Sequence, residues 1–307
     1  MATKTKPRAA ALAPLAPGSA RIKDSITEQQ SRLATAARSL EAAGVEDIHG
    51  ARVAARRLRS LLKTFRPLLD ERRTRLYRED LRSFARSLGA VREADVRRDL
   101  LLGLARADHS TTPAERRRLA VLLEDLRISA RENLRRHLAE PGWVALRNAL
   151  ERHRAGDALL VVRDAQMADV LALVARGWRR PVRLLRRHPK DTAELHELRL
   201  AFKHCRYALE SVADAAPKPA ARLLRRLRAA QDRIGEHRDA LLADHWVRLH
   251  ERALGGALSV RLIADLSRRE RELRRQSAAR AGKVLVAWQG WRDATRPLRK
   301  GASRGRR

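Results

Sequence analysis

The chain has 307 residues, with 68 Lys and Arg against 36 Asp and Glu and a formal net charge of +32. So large an excess asks for an anionic partner, and aromatics at only 3% supply few of the stacking platforms that single-strand nucleic-acid binders set beside their cations. The single cysteine, Cys205, rules out an internal disulfide, and no stretch approaches the roughly 20 uncharged apolar residues of a membrane span.

Residues 1–20 are basic at the start and rich in Ala and Pro afterwards; Pro14 and Pro17 break the only apolar run, so a disordered tail is expected rather than a targeting signal. From Arg21 to Ala43, Ile22, Ile26, Leu33, Ala37 and Leu40 have the spacing of an amphipathic helix, with Gly44 as its stop. Asp47 opens the next helix, which runs to about Pro67. Ile48 to Arg66 within it contains no acid, and His49, Arg52, Arg56, Arg59 and Lys63 are spaced three, four, three and four apart. At about 1.5 Å per residue they form one line of cations over about 21 Å, with Leu58, Leu62 and Phe65 on the opposite side. Like charges one turn apart repel. A solvated helix face ordinarily mixes signs, so this stripe points to a polyanion site.

Leu76 to Leu88 reads as a helix capped by Gly89, with Glu93 and Asp95 in the first turn of its successor. Thr111-Thr112-Pro113-Ala114-Glu115 starts a helix to about Ala139, and Pro141-Gly142 ends it. A shorter helix through Trp143, Leu146 and Leu150 follows, leading to Gly156. Val161-Val162 is the only β-like patch. Ala165 to Arg187 reads as a helix bent at Pro181, in which Arg176, Arg179, Arg183 and Arg186 repeat the basic spacing. Pro217 starts a helix with Arg222, Arg225, Arg226 and Arg228, capped by Gly235, and leucine-rich helices continue to about Trp291. The end of the chain, residues 296–307, is a basic tail.

The basic helix recurs. His196, Arg199, Ala201, Lys203, Arg206 and Leu209 match His49, Arg52, Ala54, Arg56, Arg59 and Leu62 at a shift of 147 residues. Downstream, Leu88-Gly89-x-x-Arg92-Glu93 pairs with Ile234-Gly235-x-x-Arg238-Asp239 at a shift of 146. An internal duplication with one residue of slippage accounts for both, giving related halves at 21–155 and 156–295. Glu210 stands where the first copy has Lys63, and Phe202 and His204 replace Ala55 and Arg57, so the halves need not bind equally.

The pairing of H-x-x-R-x-x-x-[RK]-x-x-R with a later L-G-x-x-R-[DE], present twice in order, resembles the CHAD domain, the conserved-histidine α-helical domain. The likeness extends from about Ile22 to about Trp291. It implies an all-α fold of two pseudo-symmetric four-helix-type bundles that binds inorganic polyphosphate on a basic central surface. It also implies a cytoplasmic protein associated with polyphosphate granules.

Arg offers phosphate oxygens a planar fork of donors, and a linear phosphate polymer meets a new cation at each helical turn as counterions are released. The residues expected to bind it are His49, Arg52, Arg56, Arg59, Lys63, His196, Arg199, Lys203 and Arg206, with Arg92, Arg238, Arg179, Arg183, Arg222 and Arg225 around them. A phosphohistidine nucleophile needs an orienting carboxylate, and the sequence alone does not assign one to His49 or His196. His237, His245 and His250 lack the helical spacing of a metal pair, and Gly282-Lys283 has Ser277 where a phosphate loop needs its first glycine. Glu270-Arg-Glu272-Leu-Arg274 approaches a triphosphate-tunnel motif without a strand pattern around it. The expectation is a non-enzymatic polyphosphate binder without cofactor, metal or membrane contact. Its rivals are a nucleic-acid (nucleoid) coating protein and a polyphosphate-processing enzyme that uses a histidine.

Overall fold

The computed structural model describes residues 17–40, 45–154, 163–187 and 191–300. Among them there is no strand, and no helix is long and apolar enough to cross a membrane. The expectations for Gly44, Gly156, Val161-Val162 and the two terminal tails, up to residue 16 and from 301, fall outside the described residues. The helix α1 (Pro17–Ser39) already begins inside the stretch expected to be a tail. Arg296–Lys300, at the start of the basic tail, is also helical.

The basic helix α2 (Val45–Thr64) buries Ala51, Ala55, Leu58, Leu62 and, just beyond its end, Phe65 completely. Repulsion between successive like charges costs about 0.2–0.5 kcal/mol per pair, whereas each fully buried Leu or Phe contributes roughly 1.5–3 kcal/mol. The apolar face therefore dictates the helix and the cations accept it. After a 3-10 turn at Arg66–Leu68 comes α3 (Glu71–Ala107), started by Asp70, whose side chain accepts from the Arg73 amide at 2.8 Å.

Gly89 lies in the interior of α3, where it neither ends the helix nor has positive φ; Gly255 is the only described glycine that does. The expected break at Gly89 is thus corrected to one long helix. Asp95, expected in a first turn, is instead buried along that helix and accepts from Arg127 at 2.8 Å. The α4 helix (Pro113–Ala139) starts with a capping box between Thr112 and Glu115, and α5 (Pro141–Arg154) sets Trp143 against Phe84 with ring centroids 4.2 Å apart.

In the second half α6 (Met167–Gly177) and α7 (Arg179–Arg186) meet at Trp178, so the chain breaks three residues before Pro181. The second basic helix is α8 (Thr192–Glu210). The α9 helix (Pro217–Leu249) passes through Gly235 uninterrupted, a second correction to an expected cap. A short turn of helix, α10 (Glu251–Leu254), leads to α11 (Gly256–Ala294), which folds back along α9, and α12 (Arg296–Lys300) closes against α6.

Two apolar cores result, and both draw on both halves. The larger runs from Ile22 and Leu62 to Phe202, Leu223 and Trp291. The smaller joins Leu101, Ala105, Leu119 and Leu123 to Val247, Leu258, Leu262 and Leu266 at the far ends of the long helices. Polar clamps span the halves as well. Arg261 of α11 donates to Asp108 and Glu115, each at 2.9 Å. The Gly18 backbone runs so close to the junction segment that a β-carbon there would stand 2.5 Å from the Ala165 carbonyl oxygen. The Ser19 amide donates to that same oxygen at 3.0 Å.

Candidate functional site

The helices α2 and α8, which carry the matching histidine–arginine motifs, pack against each other. Their cations meet at the crossing. Burial, followed by the fields of Arg199, Arg56, Arg52 and Arg238, lowers Lys203 from the ordinary lysine value to about 6. Burial followed by Arg56 lowers Arg52 to about 10, low for a guanidinium yet still charged at neutral pH. Arg199 is lowered by burial too, offset by Asp239 and pressed by Arg238 and Arg56. Among the described residues none of Arg52, Arg56, Arg199 and Lys203 has a carboxylate oxygen within the 4.0 Å of an ion pair. The Nε donors of Arg56 and Arg199 are buried without an acceptor. Orphaned buried donors on charged groups are costly.

The second motif explains how this cluster is supported. Arg199 lies over Gly235, with its Nη2 3.3 Å from the place a β-carbon would occupy. The glycine is therefore space for a guanidinium, which a sequence reading takes for a helix cap. Arg238 donates to Glu93 at 3.0 Å, joining the two copies of the motif. Glu93 and Asp239 place two acids beside an otherwise cationic surface. His196 is exposed beside Arg238, Arg199 and Lys203, and burial together with these cations lowers its imidazole. His49 is exposed on α2 one turn before Arg52, on which Arg92 acts.

Towards the end of α2 the surface continues. Arg59 is lowered by burial and by Arg82, Arg78 and Arg86 of α3, and Lys63 by burial, Arg78 and Arg180. The α3 arginines, together with Arg97, escaped the sequence reading, although Arg78, Arg82 and Arg86 are spaced four apart on one helix face. His204 faces Lys63, and burial followed by Lys63 and Arg59 lowers it to about 4, so it is a neutral imidazole. Lys63 and His204 line a cavity of about 510 Å³ between α2, α6, α7 and α8.

Other expected residues lie elsewhere. Arg206 turns away from the crossing, its guanidinium carbon 4.9 Å from the centre of the Tyr207 ring and its Nε 3.7 Å from Glu210. Glu210 also meets Arg57 at 3.3 Å and Arg228 at 3.7 Å. Arg179 and Arg183 on α7, and Arg222 and Arg225 on α9, are exposed, and none is among the charges that act most strongly on the crossing. Among the described residues no group of His, Cys, Asp and Glu could hold a metal ion. Cys205 is buried, with its thiol 3.6 Å from the Gly177 carbonyl oxygen, and burial pushes its pKa up.

The contacts between the copies are reciprocal. Lys63 faces His204, and Arg57 faces Glu210; a shift of 147 residues carries each member of one pair onto a member of the other. With that arrangement in view, the family model described as CHAD domain matches residues 24–248.

The chain belongs to the CHAD family.

Among solved structures, the CHAD chain is similar to PptA from Streptomyces chartreusis at 22% identity, covering 90% of this chain and 100% of that one with a TM-score of 0.71. It is also similar to the CHAD domain from the plant Ricinus communis, again at 22% identity, covering 94% and 96% with a TM-score of 0.66. At that identity these structures speak for the shared fold. No curated protein matches the chain. CHAD membership supports a polyphosphate-related role.

Proposed function

We propose that this CHAD protein binds inorganic polyphosphate across the crossing of α2 and α8 and does not process it. The observation that carries the reading is the convergence of Arg52, Arg56, Arg199 and Lys203 without an ion-pair partner, with two of their Nε donors buried and unsatisfied. Such a site takes a dense, flexible anion. A polymer of linked phosphates fits because each helical turn offers a further cation and binding releases counterions. The charges acting most strongly on His196 are all cations, which fits a residue that meets phosphate better than one activated by a carboxylate. Association with polyphosphate bodies is part of the same proposal and rests on the CHAD resemblance.

The test is a competition titration of long-chain polyphosphate against duplex DNA and RNA at about 0.15 M salt, where exposed charges are already screened. Polyphosphate is expected to win at equal phosphate concentration, and equal or tighter binding of DNA overturns the reading in favour of a nucleoid protein. Incubated with magnesium, the protein is expected neither to shorten the polymer nor to release phosphate. Turnover that disappears in His49→Ala or His196→Ala would identify an enzyme.

A further inference from the structure

The cavity beside Lys63 has a wall that a purely inorganic anion does not use. Leu173, Pro181, Leu200 and Ala201 supply apolar surface to its lining. Lys63, Arg66, Arg176 and Arg180 stand around it. Two of these cations are engaged, Arg180 donating to Glu197 at 2.6 Å and Arg66 paired with Glu71. Lys63 and Arg176 have no ion-pair partner among the described residues. The volume, about 510 Å³, lies within the roughly 300–1,000 Å³ of small-molecule sites. Leu200 is 46% exposed on this wall, whereas Leu195, Leu198 and Leu209 of the same helix are fully buried. A lone exposed leucine needs no explanation, but one that lines a concave, cation-flanked cavity has a ligand surface to offer.

His204 adds a polar element of a different kind. Its Nδ1 is buried without a hydrogen-bond partner. His204 lines the cavity, and with Nδ1 enclosed its Nε2 is the nitrogen left to pair with a heterocycle edge or a sugar hydroxyl as well as with a phosphate oxygen. Lys63 belongs both to the cavity and to the basic surface, so an occupant can place its anionic end on the lysine and its apolar end against Leu200.

We propose that this cavity binds a nucleoside polyphosphate, with the base against Leu200, Pro181 and Leu173, His204 beside the base or sugar, and the phosphates at Lys63 and Arg176. The site goes beyond polyphosphate binding at the crossing and shares only its edge with it. A nucleotide and the end of a polymer would then compete for Lys63.

The test is calorimetric titration of the full-length protein with ATP and, separately, with tripolyphosphate, without magnesium at about 0.15 M salt. Tripolyphosphate carries the same number of phosphates and the greater negative charge, so a purely electrostatic site prefers it. The site argued here prefers ATP by at least about tenfold, which roughly 60 Å² of buried apolar surface supplies at about 25 cal/mol per Å². Leu200→Ser is expected to remove that preference and leave long-chain polyphosphate affinity within about twofold, while Leu200→Met keeps it. Arg176→Glu is expected to weaken both small ligands. ATP binding no tighter than tripolyphosphate, or an unchanged ATP affinity in Leu200→Ser, overturns the proposal. Neither result bears on the long-chain competition, so the two readings fail separately.

Discussion

Arg199 and Gly235 occupy one packing site between them: the guanidinium of α8 rests on the bare backbone of α9, its Nη2 3.3 Å from where a side chain would begin. A methyl group there displaces the arginine by a few tenths of an ångström and leaves the helix intact. Ala is favoured over Gly inside a helix by about 1 kcal/mol. Gly235→Ala is therefore expected to hold or raise the melting temperature while weakening long-chain polyphosphate binding by roughly threefold to tenfold, a fraction of what a charge-assisted hydrogen bond is worth. Gly89→Ala, with nothing within 4 Å of its new methyl, gains the helix propensity and keeps the affinity. Thermal melts and titrations of both variants check this. Identical behaviour of the two would refute the packing role of Gly235.

The pairing of α2 with α8 makes chain length the readout of shared binding. Arg52→Glu with Arg56→Glu is expected to cost long-chain affinity at least tenfold. Adding Arg199→Glu and Lys203→Glu should also abolish the extra gain of long chains over short ones, because that gain comes from a second, intramolecular contact. Each removed cation lowers the salt slope by roughly 0.7–0.9. Helical content by circular dichroism should not fall, since reversal relieves repulsion between neighbours. Normal long-chain binding by the folded first-half variant would refute the shared surface.

Lys203 gives binding a pH dependence. Arg199 on its own helix, Arg56 and Arg52 on α2 and Arg238 on α9 face it, and with burial they lower it to about 6. With that value Lys203 is mostly neutral at neutral pH in the free protein; a bound phosphate would recharge it, so binding is expected to take up a proton. Affinity should rise as pH falls from 8 towards 6 and level off below, where the lysine is already charged. The stability of the free protein has the opposite sign. Between about 6 and the ordinary lysine value the unfolded chain carries a proton that the folded one does not, so stability increases with pH. Titrations in buffers of different ionisation enthalpy count the proton. Lys203→Met should flatten the pH profile, and an unchanged profile in that variant would assign the proton elsewhere.

Glu210 is a built-in counter-anion. Arg57, Arg206 and Arg228 lie 3.3 to 3.7 Å from its carboxylate, and the Nε atoms of Arg57 and Arg206 are buried without an acceptor. Glu210→Gln leaves three cations facing one another. We expect it to lower stability by about 1–2 kcal/mol, to steepen the salt dependence of polyphosphate binding and to tighten it at low salt. Melting curves with and without polymer read both effects, and a loss of affinity would mean that Glu210 shapes the site instead of competing for it.

The cationic stripe of α2 was legible because a helix that carries five bases and no acid on one face has few structural uses, and that of α8 because four of its residues repeat the same spacing. The all-helical fold was legible for a related reason, since apolar residues recur at helical spacing almost throughout. The glycines misled: Leu88-Gly89 and Ile234-Gly235 have the look of helix ends, and only packing reveals that the long helices α3 and α9 carry straight through them. Arg78, Arg82 and Arg86 carried a readable signal in their spacing of four. Arg206 did not, because its diversion depends on Glu210 and Tyr207, two side chains whose directions spacing does not give. The cavity beside Lys63 was out of reach for the same reason, being assembled from four helices.

That both apolar cores draw on both halves governs how the molecule can be made. When the first half leaves the ribosome, Leu58, Leu62, Leu101 and Leu119 have only part of their partners, and the rest arrive with α8, α9 and α11. At about 5–20 residues per second that wait lasts roughly ten seconds or more. During it a strongly basic, incompletely packed chain sits beside ribosomal RNA, the nearest large polyanion. Until α8 arrives to meet α2 the basic crossing cannot form, so the part-made chain presents its cations singly and not as one assembled surface.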